Sequence, residues 1–221
     1  MKHFYAIIFT VVVCVSMSSC TAVSIIKDAT TVYEAAVELN DGTMIEGRIH
    51  GGNFASGAKK VAIKSDKKKY KIASKDIAVL YLWRKDYPDR KNALVYRDYK
   101  YVYKWRGTTR SRDMKPAWMS IEAAGEDLLI CGRGKWYGVD KKGGALTITY
   151  DRDYGIQYVA AKSGAEYMEY IGSSRTSEKN MRARLLEYLI DDPILCEKLE
   201  SGEVKATDFD DVADKYRPVN R

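Results

Sequence analysis

The sequence predicts an α+β protein, mainly antiparallel β, with a small bent sheet or barrel-like N-terminal part, a β-meander next and short helices last. Three observations lead there. The stretch from Glu34 to Trp83 alternates apolar and polar residues about Asn40-Asp41-Gly42, and Asp-Gly is a strong hairpin signal because a primed turn needs positive φ. From Trp118 to Ile171, short apolar runs are separated at even spacing by glycine-containing breaks, a pattern that favours one antiparallel sheet. After Ser177 the apolar period changes from that of a strand to that of a helix.

The chain has 221 residues, enough to bury a core in one domain or two small ones. Met1-Lys2-His3 is a short basic start, and Phe4 to Val15 is a twelve-residue apolar run followed by the small residues Ser16 to Ser19. Such a run is too short to span a bilayer, so residues 1–19 read as a signal peptide for export. Ser18-Ser19-Cys20, with Met17 where the stricter pattern has Leu, resembles the lipobox of bacterial lipoproteins. The resemblance implies cleavage before Cys20, a diacylglyceryl group on its thiol, and residues 20–31 as a lipidated tether. Acyl chains would hold the protein firmly, since each buried CH₂ contributes about 0.8 kcal/mol. Ordinary cleavage near Ser19 is the alternative, and it leaves Cys20 a plain thiol.

The body is expected over 32–173, divisible into sub-sheets 32–92 and 93–173. Its first hairpin is followed by a second, Val61-Ala62-Ile63 with Tyr70-Lys71-Ile72, and by the buried-strand run Ile77 to Leu82. Arg84 to Asn92 contains Pro88 and reads as a loop. Ala93 to Arg106 is a strand with Tyr99, Tyr101, Tyr103 and Trp105 on one face and Lys100, Lys104 and Arg106 on the other. Gly107 to Pro116 reads as a basic loop, and the meander follows from Trp118. In the tail, 174–221, Ser177 caps a helix with the stripe Met181, Leu185, Tyr188, Leu189. Asp192-Pro193 opens a second helix that Gly202 ends, and Thr207 with Asp210 is a capping-box-like start for a third.

Catalytic machinery is not legible. His50 is the single histidine once His3 leaves with the signal, so a multi-histidine metal site is excluded by count and a Ser-His-Asp centre has nothing to build on. Asp191-Asp192 and Asp210-Asp211 lie at helix starts, where acids suit the dipole, and Asp151-Arg152-Asp153 reads as a turn. A two-carboxylate hydrolase stays formally open, because the spacing that matters there is spatial. Cys131-Gly132-Arg133-Gly134-Lys135 lacks the spacing of a phosphate loop and reads as a hairpin turn. No cofactor is implied.

The candidate ligand surface is the aromatic-basic segment, with Tyr99, Tyr101, Tyr103, Trp105 and Arg106 as its named residues. Aromatic faces stack on sugars, and neighbouring cations bind phosphate or carboxylate, which suits a glycan, a lipid head group or an envelope protein. The same period of two is what the core face of a central strand gives, and that reading is preferred. Net charge is +7 with 30% charged residues of both signs, a balance that solubility alone explains. Nucleic acid is not an expected partner outside the cytoplasm. With Cys14 in the signal and Cys20 acylated, Cys131 and Cys196 remain, as free thiols or as a pair.

The signal ending at Cys20, the LNDGTMIEGRI hairpin with KYKIASKDIAVLYL after it, and the tail segments Leu185-Leu186-Glu187-Tyr188, Asp192-Pro193, Cys196-Glu197-Lys198-Leu199 and Phe209 to Tyr216 resemble exported lipoproteins of the Bacteroides–Prevotella type. That resemblance implies a β-rich body, a helical C-terminus and an envelope location. Lys27-Asp28 comes late and alone after Cys20, unlike a surface-export signal, which favours an outer membrane protein facing the periplasm. The expectation is a non-catalytic, lipid-anchored binding or structural module. A carboxylate-dependent envelope or glycan hydrolase and a subunit of an envelope complex are the alternatives.

Overall fold

The computed structural model describes residues 31–50, 54–66, 68–105, 108–150 and 152–219, apart from the side chains of 102–105 and 109. Cys20 and Arg106 lie outside the described residues. Ten strands form one sheet, in the order β13-β12-β9-β8-β7-β6-β1-β2-β4-β5. β1 (Val32–Leu39) and β2 (Met44–His50) meet at the expected turn, where Gly42 takes φ +83° and Leu39 donates its N–H to Thr43 O at 2.9 Å. β4 (Lys60–Lys64) and β5 (Lys69–Ala73) make the second hairpin. A 3₁₀ turn, Ser74–Asp76, then leads into β6 (Ile77–Trp83), which is paired on both sides, with β1 and β7.

β7 (Asn92–Trp105) and β8 (Thr108–Ala124) are the longest strands. The expected basic loop at 107–116 is therefore largely strand. Pro116, which has no N–H to give, sits where the β7–β8 register shifts between Arg97 and Tyr99, and a bulge is where a strand tolerates proline. β9 (Leu128–Arg133), β12 (Gln157–Lys162) and β13 (Met168–Ser173) continue the sheet. β13 then returns to β7 in parallel, through Met168–Tyr99 and Glu169–Lys100. Five strands thus close into a small barrel. Val95, Tyr99, Met119, Cys131, Val159 and Met168 fill its interior.

β10 (Trp136–Val139) and β11 (Leu146–Thr149) leave the meander to form a second sheet with β3 (Phe54–Ala55). Tyr137 and Val139 face the inner side of β1, β4 and β6 and bury Trp118 between them. The tail covers the barrel's outer face with α1 (Glu178–Tyr188), α2 (Pro193–Ser201) and α3 (Phe209–Lys215). Ser177 caps α1, Asp192 caps α2 with Pro193 at its first turn, and Gly202 closes α2 at φ +79°. Asp208, rather than Thr207, caps α3, because its carboxylate accepts from Asp211 N at 3.3 Å. Among the described residues no helix is long and apolar enough to cross a membrane.

Candidate functional site

Tyr99 is only 2% exposed and faces the barrel interior. Tyr101 is half-buried with its ring 4.6 Å from that of Tyr170. Beyond it β7 and β8 pair only with each other among the described strands, as a two-stranded arm that carries Tyr103 and Trp105 in its backbone. The predicted aromatic row therefore divides between core and arm.

Tyr99 nevertheless leads to a site. Its ring lies 5.1 Å beneath the guanidinium of Arg133, the last residue of β9. Burial pushes the Tyr99 phenol above its usual value, and the nearby Arg133 charge pulls it partly back. Arg133 Nη1 donates to Gln157 Oε1 at 2.8 Å, while its Nε is buried with no hydrogen-bond partner among the described residues. A cavity of about 220 Å³ opens beside this guanidinium, lined by Lys135, Tyr150, Tyr154, Gln157 and Ser56 as well. Its place follows from the sheet switch. Gly134 and Lys135 carry the chain from the barrel to the small sheet, and a Cβ at Gly134 would collide with Ile148. Gly155, at φ +71°, turns the chain so that Tyr154 stands at the mouth.

Among the described lining residues the charged side chains are all cationic. Among the described residues no carboxylate lines the cavity, and none is in ion-pair contact with Arg133 or Lys135. Tyr150 is 45% and Tyr154 64% exposed, so both rings are open to a ligand from solvent. A planar guanidinium presents a donor fork to carboxylate or phosphate, and exposed rings offer a negatively charged face to the C–H groups of a sugar. The volume is below the about 300–1,000 Å³ of sites for drug-sized ligands, so it suits one ring or a comparable small anion.

Asp191, Asp192 and Glu122 lie away from this cavity and have structural partners, while Glu166, Glu169 and Glu187 line a separate cavity beside Lys162 and Tyr188. Asp191 accepts from Lys162 Nζ and Tyr216 OH, each at 2.7 Å. Asp192, 3% exposed, accepts from Leu195 N at 3.0 Å and Arg217 N at 2.6 Å. Glu122 sits at a β-bulge with its carboxyl against Ser120 Oγ at 2.5 Å. Burial of that carboxyl raises its pKa, and Ser120 moderates the rise, yet Glu122 lines none of the cavities at Arg133, Glu187, Tyr96 or Glu126. His50 is exposed at the end of β2. Cys131, whose thiol burial pushes far up, and Cys196, which donates to Leu189 O at 3.3 Å, are both free. Among the described residues no group of three His, Cys, Asp or Glu is placed to hold a metal ion.

No family model matches the chain, and neither does any curated protein or solved structure. Sequence reasoning passed over Arg133, Lys135 and Tyr154 as turn residues. The usable signal was a cation and an aromatic beside glycine in two separate turns, and only the switch between sheets shows that these turns meet.

Proposed function

We propose that this chain is a lipid-anchored protein of the bacterial cell envelope, held through Cys20 at the periplasmic face of the outer membrane, whose β-rich body is a non-catalytic binding module. The location is supported by the lipobox-like Ser18-Ser19-Cys20 after a short apolar run. The binding role rests on one observation. Arg133 stands half-buried with no carboxylate beside it among the described residues, at a cavity whose mouth holds two exposed tyrosines. An acidic sugar satisfies all of these groups: its carboxylate meets Arg133 and Lys135, its ring face meets Tyr150 or Tyr154, and its hydroxyls meet Gln157 and Ser56. Titration calorimetry with a tetramer of galacturonic acid, beside a neutral maltotetraose, tests this. Wild type binds the acidic tetramer alone, and Arg133→Gln weakens it at least about tenfold, the worth of one charge-assisted hydrogen bond. Equal binding of both sugars, or an unchanged Arg133→Gln, contradicts the reading.

A second reading, a subunit of an envelope complex, is supported by the tail. Ile190, Ile194 and Val219 are 76%, 69% and 68% exposed, and Val219 N bonds Asp191 O, which sets it beside the α1–α2 turn.

A further inference from the structure

Eight lysines fall between Lys59 and Lys75, and the acid among them is Asp66. The β4–β5 hairpin places four of these on one surface. Val61 and Ile63 are buried, whereas Lys60, Lys64, Lys69 and Lys71 alternate with the core positions and are exposed. Register lines up a row across four strands: Glu34 opposite Arg48, Arg48 opposite Lys64, and Lys64 opposite Lys69. Glu34 and Arg48 pair at 3.2 Å. None of the four lysines has a carboxylate partner among the described residues.

Protection of an open sheet edge does not account for this. β5 is the edge, and lysine there discourages unwanted pairing, but Lys64 lies on β4, paired on both sides by β2 and β5. Like charges directly opposite on one face destabilise a sheet, so the Lys64–Lys69 pair is kept against a stability cost. A surface that concentrates unpaired cations attracts a plane of negative charge.

We infer that the outer face of the β4–β5 hairpin lies against an anionic lipid surface, Lys60, Lys64, Lys69 and Lys71 meeting lipid phosphates. The inference rests on the envelope reading, because the position of the anchor identifies the surface. The eleven residues between Cys20 and Val32 reach at most about 40 Å when fully extended. They join the sheet on β1, and the strand spacing sets Lys69 about 15 Å across it from Glu34. An acylated Cys20 and this face therefore reach the same bilayer. A diacylated Cys20 holds the chain by itself, and the basic patch adds an attraction to anionic lipid that turns this face toward the bilayer.

The full chain carrying Cys20→Ala isolates the lysine face. It is mixed with vesicles of phosphatidylcholine, with or without phosphatidylglycerol, and sedimented. The chain pellets only with the phosphatidylglycerol vesicles and is released in 1 M salt, where screening shortens to about 3 Å. Adding Lys64→Gln, Lys69→Gln and Lys71→Gln lowers partition about 100-fold, since each lysine at such a surface contributes about fivefold. That variant melts no lower than its parent, because the Lys64–Lys69 repulsion is gone. Unchanged partition of the folded variant overturns the inference, as does retention on a heparin column without vesicle binding. The mass of wild type tests the anchor separately. A Cys20 without lipid sinks the envelope reading and leaves the vesicle result to stand on its own.

Discussion

Tyr137 ties the two sheets together with one hydroxyl. The phenol donates to Trp118 O at 2.7 Å and accepts from Gly134 N at 2.9 Å, in full burial. Burial holds its pKa well above the usual value, so it stays a neutral donor and acceptor at any physiological pH. Tyr137→Phe keeps the ring and orphans the Gly134 N–H, which costs about 1–3 kcal/mol. The melting temperature is expected to fall by several degrees, at about 2–4 °C per kcal/mol for a chain of this size. Gly134 also shapes the Arg133 cavity, so a merely local effect would leave anion binding intact and a structural one would weaken it. At this scale the sequence was half legible. Tyr99 stood out as an aromatic on an alternating strand, and its burial agrees with the core-face reading. Its part beneath Arg133 was not legible, because the stacking partner lies on β9, a strand that does not pair directly with β7.

Among the elements, the tail is latched to the barrel at Asp191. Lys162 comes from β12, Asp191 from the α1–α2 turn, and Tyr216 from the end of α3. Burial alone would raise the Asp191 pKa, but the hydrogen bonds from Lys162 and Tyr216 outweigh it and hold the carboxyl below its usual range. The sign follows. An acid whose folded pKa is depressed adds stability that is complete above its unfolded pKa and is lost as pH falls through the folded one. Asp191→Asn is expected to cost about 1–2 kcal/mol at pH 7, discounted because Asp191 and Lys162 are each about a third exposed. The difference from wild type should shrink below pH 4 in urea titrations. A constant difference across pH would assign the loss to packing instead. Elements with local signals were read well. Asp41-Gly42, Asp192-Pro193 and Gly202 each carry their own turn or cap chemistry, and the structure uses all three. β8 was missed as a continuous strand because its basic residues look solvated, and what makes them a strand is the partner β7 alongside.

For the whole molecule, the decisive contacts are far apart in sequence. The barrel closes by pairing Tyr99 with Met168 in parallel, and no local pattern announces a parallel pair between strands so widely separated. β10 and β11 look like every other strand of the meander, and they leave it because Tyr137 and Val139 find the uncovered inner face of β1, β4 and β6. The mainly antiparallel architecture with a helical tail was legible. The two-sheet division of the meander was not, and neither was the cavity that division creates. The apolar stripe after Ser177, by contrast, did foretell its use: Met181, Leu185 and Leu189 bury against the barrel, and Tyr188 packs on the same cluster. Attachment through Cys20, as proposed, would decide where the Arg133 cavity and the lysine face operate. It is tested by the intact mass and membrane partition of the chain expressed in a Gram-negative host, beside Cys20→Ala. The expected wild type carries a lipid mass on Cys20 and sediments with membranes in high salt, while the variant, left with the lysine face alone, is released. A wild type cleaved near Ser19, free of lipid and soluble, would contradict it.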